Sequence, residues 1–337
     1  MLQFAWGILK ESRQVASAFV LVLLGVLLVG LLSLVVCLLF KSDRPASSLA
    51  AGLDRENLGG LPRDFAPENL DADLQLRKGA WVGNGPVRDR QLLNFAKSHK
   101  SIGFMVLNQA EVTGEGLAAL AGHGLRKLEL RDMDITVGMA EGISKISELE
   151  SLQLNDQSVD DNVVSALTGP RSLAELGFRH SRVTAAGLRT ICRTYPHLLD
   201  VSLVDCKNID DKALRVFESQ KQLKGLTVMY CPVTASSIVA LVDALPVERI
   251  HIYQAGAVGQ FLAGVKSRRL SKINLPGVVL KEKEVEILSR MKNLKNLVLD
   301  RPAGASKAQL DALQARLPHC TLELVVEPEK PEVGLVD

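Results

Sequence analysis

Apolar and polar positions along this chain follow two different patterns. The first is a single unbroken block. Ala16 to Phe40 is a 25-residue run without a charge, interrupted only by Ser17, Gly25, Gly30 and Ser33. As a helix rising about 1.5 Å per residue it extends roughly 37 Å, enough to cross an apolar slab of about 30 Å with some tilt. The run predicts a transmembrane helix behind a short tail at 1–15. A cleaved signal peptide has a shorter apolar stretch, about 7–15 residues, so retention as an anchor is expected. From 41 to 70, Pro45, Pro62, Pro67 and the pair Gly59-Gly60 break any sustained period, which predicts a flexible linker.

The second pattern is a repeat. Three apolar residues at offsets of three and two recur as Leu125/Leu128/Leu130, Leu149/Leu152/Leu154, Leu173/Leu176/Phe178 and Leu198/Val201/Leu203. They continue as Leu223/Leu226/Val228, Val247/Ile250/Ile252, Leu270/Ile273/Leu275 and Leu294/Leu297/Leu299, with a weaker first copy at Ile102/Met105/Leu107. Successive starts lie 23 to 25 residues apart. Each block is followed by an apolar residue (Val112, Ile135, Val159, Val183, Ile209, Val233) and then by a helix-capping type: Thr113, Thr136, Asp160, Thr184, Asp210 or Thr234. Two further apolar columns, three residues apart, share one face of a short helix; Leu117/Leu120, Leu188/Ile191 and Ile238/Leu241 are examples. Each unit thus predicts a short strand, a loop and a capped helix folded back on the strand. One unit cannot bury its own core, whereas stacked copies share a continuous aliphatic interior.

The pattern resembles the leucine-rich repeat family in its roughly 24-residue, helix-containing form, similar to the cysteine-containing, ribonuclease-inhibitor-like type. The Asn or Cys that usually follows the strand is matched by Cys206 and Cys231, with Ser181 and Gln157 in neighbouring copies; Met133, Val278 and Pro302 depart from it. The resemblance implies an α/β solenoid over 102–326, with a parallel sheet on the concave side, helices on the convex side and a surface for protein partners. Residues 71–101 are expected to supply an irregular strand and helix that cap it, with Trp81 in the cap's core. The stretch 327–337, acidic and containing proline, is expected to be a disordered tail.

Composition narrows the function. Hydrophobic residues make up 47% of 337, yet only two Trp, three Tyr and nine Phe are present. So few aromatics do not suit a base-stacking nucleic-acid binder, and a net charge of +2 exerts little pull on a polyanion. Five cysteines are too few for a disulfide scaffold. Cys37 lies in the apolar run, Cys192 in a helix and Cys320 before the last strand. Cys206 and Cys231 occupy equivalent slots, open either to a pair of buried thiols or to a disulfide between strands about 4.8 Å apart. The six histidines form no metal motif, Gly83 to Pro86 reads as a turn and not a phosphate loop, and no nucleophile constellation appears. The expectation is a binding protein with no catalysis, cofactor, metal, nucleic acid or small-molecule substrate. Positive residues nearly balance across the apolar run, with Lys10 and Arg13 before it and Lys41, Arg44 and Arg55 after. The short leading tail favours a solenoid on the non-cytoplasmic side.

Candidate contacts then fall on the outward positions of the strands. Arg249, His251 and Tyr253 form the most distinctive set, because Arg and Tyr often anchor interfaces. Met229 and Tyr230 extend it, and Arg179 with His180 forms a second, separate candidate. A structural spacer, or a self-assembling envelope component, is the alternative reading.

Overall fold

A computed structural model describes residues 74–77, 79–253, 257–275, 280–300 and 307–325. The predicted membrane run at 16–40, the linker and the tail lie outside the described residues. Among the described residues no helix is long and apolar enough to cross a membrane. Two compact units divide the chain at Ala66/Pro67, and all that follows concerns the second.

Among the described residues, twelve strands form one sheet in chain order. They are β1 (Leu74–Arg77), β2 (Ala80–Asn84), β3 (Phe104–Asn108), β4 (Lys127–Arg131), β5 (Ser151–Asn155) and β6 (Glu175–Arg179). The rest are β7 (Asp200–Val204), β8 (Gly225–Met229), β9 (Arg249–Tyr253), β10 (Lys272–Leu275), β11 (Asn296–Asp300) and β12 (Thr321–Val325). From β2 onward every pairing is parallel, and equivalent leucines stay in register: Leu128 faces Leu152, which faces Leu176. The one departure from parallel pairing lies at one edge, within the stretch expected to form an irregular cap. There β1 and β2 form an antiparallel hairpin through Gly79, whose φ is +82°. A tight reversal suits an end cap, because a terminal strand has no preceding unit to pair with and can only fold back on its neighbour.

Helices fill the connections: α1 (Asp89–Ser98), α2 (Gly114–Ala118), α3 (Val137–Ile143), α4 (Asp161–Ala166) and α5 (Ala185–Thr194). Then come α6 (Asp211–Leu214, continued by a 3-10 turn to Ser219), α7 (Ala235–Ala244), α8 (Ala257–Gly264), α9 (Glu282–Ser289) and α10 (Lys307–Arg316). The six predicted caps form. Thr113, Thr136, Thr184 and Thr234 each accept a bond from an amide of the first turn, as do Asp160 and Asp210. A cap of this kind satisfies donors that a helix leaves unpaired at its start, which is how four- to seven-residue helices persist. The core runs between the two layers: Leu130, Leu154, Phe178, Leu203, Val228 and Ile252 from the strands meet Leu117, Ile143, Leu188 and Ile238 from the helices, all buried. In the cap, half-buried Trp81 stands edge-on to Phe95 at 4.8 Å and to His99 at 4.7 Å. The expected turn at Gly83–Pro86 begins later, since Gly83 and Asn84 still belong to β2 and only Gly85 turns, at φ +93°.

A second bond stitches neighbouring units together. The first residue of α1, Asp89, accepts from the amide and hydroxyl of Thr113 at 2.7 and 2.5 Å. Asp161 does the same to Thr184 (2.8 and 2.6 Å), and Asp211 to Thr234 (2.6 and 2.9 Å). Each carboxylate therefore holds the capping residue of the next unit. Glycines make room for it: a Cβ on Gly116 would lie 2.1 Å from Asp89 Oδ1, and one on Gly187 would lie 2.3 Å from Asp161 Oδ1.

Candidate protein-binding face

The alternate strand positions turn away from the core and make three ladders across the open face of the sheet. The ladder at the strand starts runs Lys127, Ser151, Glu175, Asp200, Gly225, Arg249 and Lys272. Here long charged side chains reach over a small neighbour to the second strand along. Arg249 binds both oxygens of Asp200, at 2.8 and 3.2 Å, across Gly225. Lys127 and Glu175 approach to 3.9 Å across Ser151. Ser151 and Gly225, although at outward positions, are consequently buried. Gly225 is needed in that place, because a Cβ there would sit 1.5 Å from Asp200 Oδ1. The same holds one ladder over, where the amide of Gln153 covers Gly177, which is buried. Gln153, Ser202, Thr227 and the Asp200–Arg249 pair bound a shallow pit of about 350 Å³.

His251 lies half-buried in the middle ladder, between Thr227 and Asn274. Tyr253 lies at the far end of its strand, roughly 13 Å from Arg249 at about 3.3 Å per residue. The expected trio is thus spread over the whole width of the sheet, and Arg249 is committed to an ion pair.

The two sets that the sequence separates are joined instead. The ladder at the strand ends places Arg179, Val204, Met229 and Tyr253 side by side. One residue on, His180, Asp205 and Tyr230 form a parallel row. All three adopt left-handed backbone, at φ +55°, +53° and +55°, as do Gln109 and Asp132 in earlier copies. The cause is the sheet itself. Each of these amides turns to donate to the last carbonyl of the next strand: His180 to Val204 (2.9 Å), Asp205 to Met229 (2.8 Å) and Tyr230 to Tyr253 (3.2 Å). The conformation costs an L-residue about 1–2 kcal/mol, and it lines these side chains along one rim. His180 Nδ1 sits 2.7 Å from Asp205 Oδ2, and the rings of Tyr230 and Tyr253 lie 4.5 Å apart at 50°. Tyr230 is 50% exposed, one of four large hydrophobic side chains exposed among the described residues. Asp205, Val204 and Lys207 were not singled out from the sequence. The signal was there, since Arg179, Val204, Met229 and Tyr253 are spaced 25, 25 and 24 apart, which is the repeat length.

The Lys207 ammonium and then His180 hold the Asp205 carboxyl below its ordinary value. The Lys207→Met variant should let that carboxyl titrate closer to the usual carboxylate range, as a carbon-detected NMR titration would show. An unchanged midpoint would mean that Lys207 does not govern this corner.

Beneath the rim, Cys206 and Cys231 are buried thiols that form no disulfide, as are Cys192 and Cys320. Cys206 Sγ donates towards the Phe178 and Val204 carbonyls at 3.5 Å and lies 3.3 Å from Ser181 Oγ. The Cys206 sulfur alongside, together with burial, pushes the Cys231 thiol up. Both sulfurs turn to strand carbonyls inside the stack, Cys231 to those of Leu203 and Met229 at 3.6 and 3.4 Å.

Stacked strand–loop–helix units on a parallel sheet define an α/β repeat solenoid, the fold that the leucine-rich repeat resemblance implies. No family model and no curated protein matches the chain. Among solved structures it is similar to an internalin from Listeria monocytogenes, at 15% identity and a TM-score of 0.36, over 74% of each chain. It is also similar to a chain of the yeast Rad7 and Elc1 complex, at 16% identity and a TM-score of 0.41, over 74% of this chain and 83% of that one. At such scores neither likeness bears on function.

Proposed function

We propose that this protein binds another protein through the strand-end rim of its open sheet face, without catalysing a reaction. The observation that carries this reading is the rim's composition. Arg179 and His180, Met229 and Tyr230, and Tyr253 line one rim from β6 to β9, bridged at β7 by Val204 and Asp205, and His180 and Tyr230 are held in left-handed backbone. Aromatic and arginine side chains on a rigid platform lose little entropy on binding and supply large contact area. We further propose that the 16–40 run anchors the chain in a membrane, with the solenoid on the non-cytoplasmic side. The lack of charge over 25 residues supports the anchor.

Affinity capture by the full chain from a detergent extract, followed by titration of the recovered partner, tests the rim. Tyr230→Ala and Tyr253→Ala are each expected to weaken binding about tenfold while leaving the melting curve in place. A control change on the helix layer, Lys145→Ala, is expected to do nothing. Full affinity in a Tyr230→Ala/Tyr253→Ala double variant would remove the rim from consideration, and a stable homo-oligomer with no other partner would favour the spacer reading. Protease digestion of the solenoid in intact cells tests the orientation, with protection counting against it.

A further inference from the structure

The turns after α8 and α9 lead into the starts of β10 and β11, at the sheet edge opposite the rim, and enclose a groove of about 450 Å³. Its floor is aliphatic: Leu262 is buried, and Val265, Ile287 and Met291 are half-buried. Its walls carry Lys266, Arg268, Arg290 and Lys292, all exposed, and no carboxylate lines it. Arg269 and Lys295 continue the same turns. Two acidic groups lie nearby. Glu286 pairs with Arg290, and Asp243 accepts from the backbone amides of Lys266 and Ser267 at 3.0 and 2.7 Å. Among the described residues, Lys266, Arg268, Arg269, Lys292 and Lys295 make no ion pair. Three lining cations without an ion-pair partner (Lys266, Arg268 and Lys292), with Arg269 and Lys295 beside them on the same turns, surround an aliphatic floor and call for a ligand that is anionic at one end and apolar at the other.

The hydrogen-bonding groups narrow the choice. Asn293 Nδ2 is spent on the Arg268 carbonyl at 2.5 Å, and the Ser267 amide on Asp243. Few directional groups remain to read a peptide main chain; the free cations respond to charge and the floor to apolarity. We infer that this groove takes the anionic headgroup of a bilayer phospholipid, with the aliphatic floor receiving the top of an acyl chain. The inference rests on the anchor reading only for the nearness of a bilayer. Each cation close to an anionic surface adds to the attraction, and salt screens it.

The test uses the full chain in lipid nanodiscs made of phosphatidylcholine alone or of an equimolar mixture with phosphatidylglycerol, read by hydrogen exchange. In the anionic discs, amides of 262–270 and 287–293 are expected to exchange about tenfold more slowly than in neutral discs, and molar salt should abolish the difference. The triple variant Lys266→Gln, Arg268→Gln and Lys292→Gln should lose the protection while the rest of the solenoid exchanges as before. That internal comparison separates loss of binding from loss of folding. Equal exchange in the two disc types overturns the proposal. So does protection by soluble polyglutamate without any by anionic lipid, which would assign the groove to an acidic protein. A chain that stays out of the discs defeats the anchor reading alone, and the same windows read with added anionic vesicles then decide the groove.

Discussion

Gly114→Ala should lower the stability of the solenoid by about 3 kcal/mol, whereas Gly138→Ala, in the adjoining helix, should leave it within about 1 kcal/mol and on the stabilising side. The two glycines differ in what surrounds them. A Cβ on Gly114 would lie 1.9 Å from the carbonyl oxygen of Gly138 and 2.7 Å from its carbon, both backbone atoms. Neither can rotate away, so α2 and α3 would have to separate, opening the layer above Leu117 and Ile143, which are fully buried. A Cβ on Gly138 meets only Thr136 Oγ1, at 3.9 Å, an ordinary contact. Gly142→Ala tests the same contact from the other side, since its Cβ would lie 2.2 Å from the Gly114 carbonyl oxygen. Thermal melts of the three variants decide the matter. For a domain of this size the expected loss corresponds to a fall of roughly 6–12 °C in Tm. Equal melting of Gly114→Ala and Gly138→Ala would mean that the helix layer is looser than described.

Asp161→Ala is expected to cost a comparable amount, about 3 kcal/mol, because it removes two charge-assisted bonds at once. The amide and hydroxyl of Thr184 both bind that carboxylate, at 2.8 and 2.6 Å. Thr184 is itself the cap of α5, accepting from the Ala186 amide at 3.1 Å. The loss therefore falls between two units and not within one. In a stacked array stability is a sum of unit and interface contributions, so weakening one interface should split the unfolding locally. Hydrogen exchange should rise first in α4 and α5, while β10 to β12 keep their protection. Thr184→Val keeps the amide bond to Asp161 but loses both the hydroxyl's bond to that carboxylate and the cap on the Ala186 amide, so a loss comparable to that of Asp161→Ala is expected. A uniform rise in exchange across all units would show that the interface is not the weak point.

These two effects mark where a one-dimensional pattern stops being informative. The strand leucines and the helix columns were legible because a strand repeats at two residues and a helix at 3.6, and the stack repeats both at a nearly constant interval. The six capping positions were legible too, because only a few side chains can satisfy the first amides of a helix. The role of Asp161, Asp89 and Asp211 was not. An acidic residue at the start of a helix is common, and nothing local announces that its partner is a threonine 23 or 24 residues later. Likewise Gly177 and Gly225 read as gaps in an exposed face until the side chains of Gln153 and Asp200 are seen lying over them.

The candidate face was half-legible for the same reason. Arg249, His251 and Tyr253 are neighbours in sequence, but an extended strand spreads them across the sheet, and the first is drawn to Asp200. Arg179 and Tyr253 are 74 residues apart and look unrelated, yet parallel pairing puts them in one ladder. The sequence by itself determined the repeating unit, its stacking, its aliphatic core and its caps, because each depends on burial and on local backbone chemistry. Which outward side chains meet was decided only by the tertiary structure. Register follows the repeat, but how far a side chain reaches over a smaller neighbour, and so which groups meet between units, has no period along the chain.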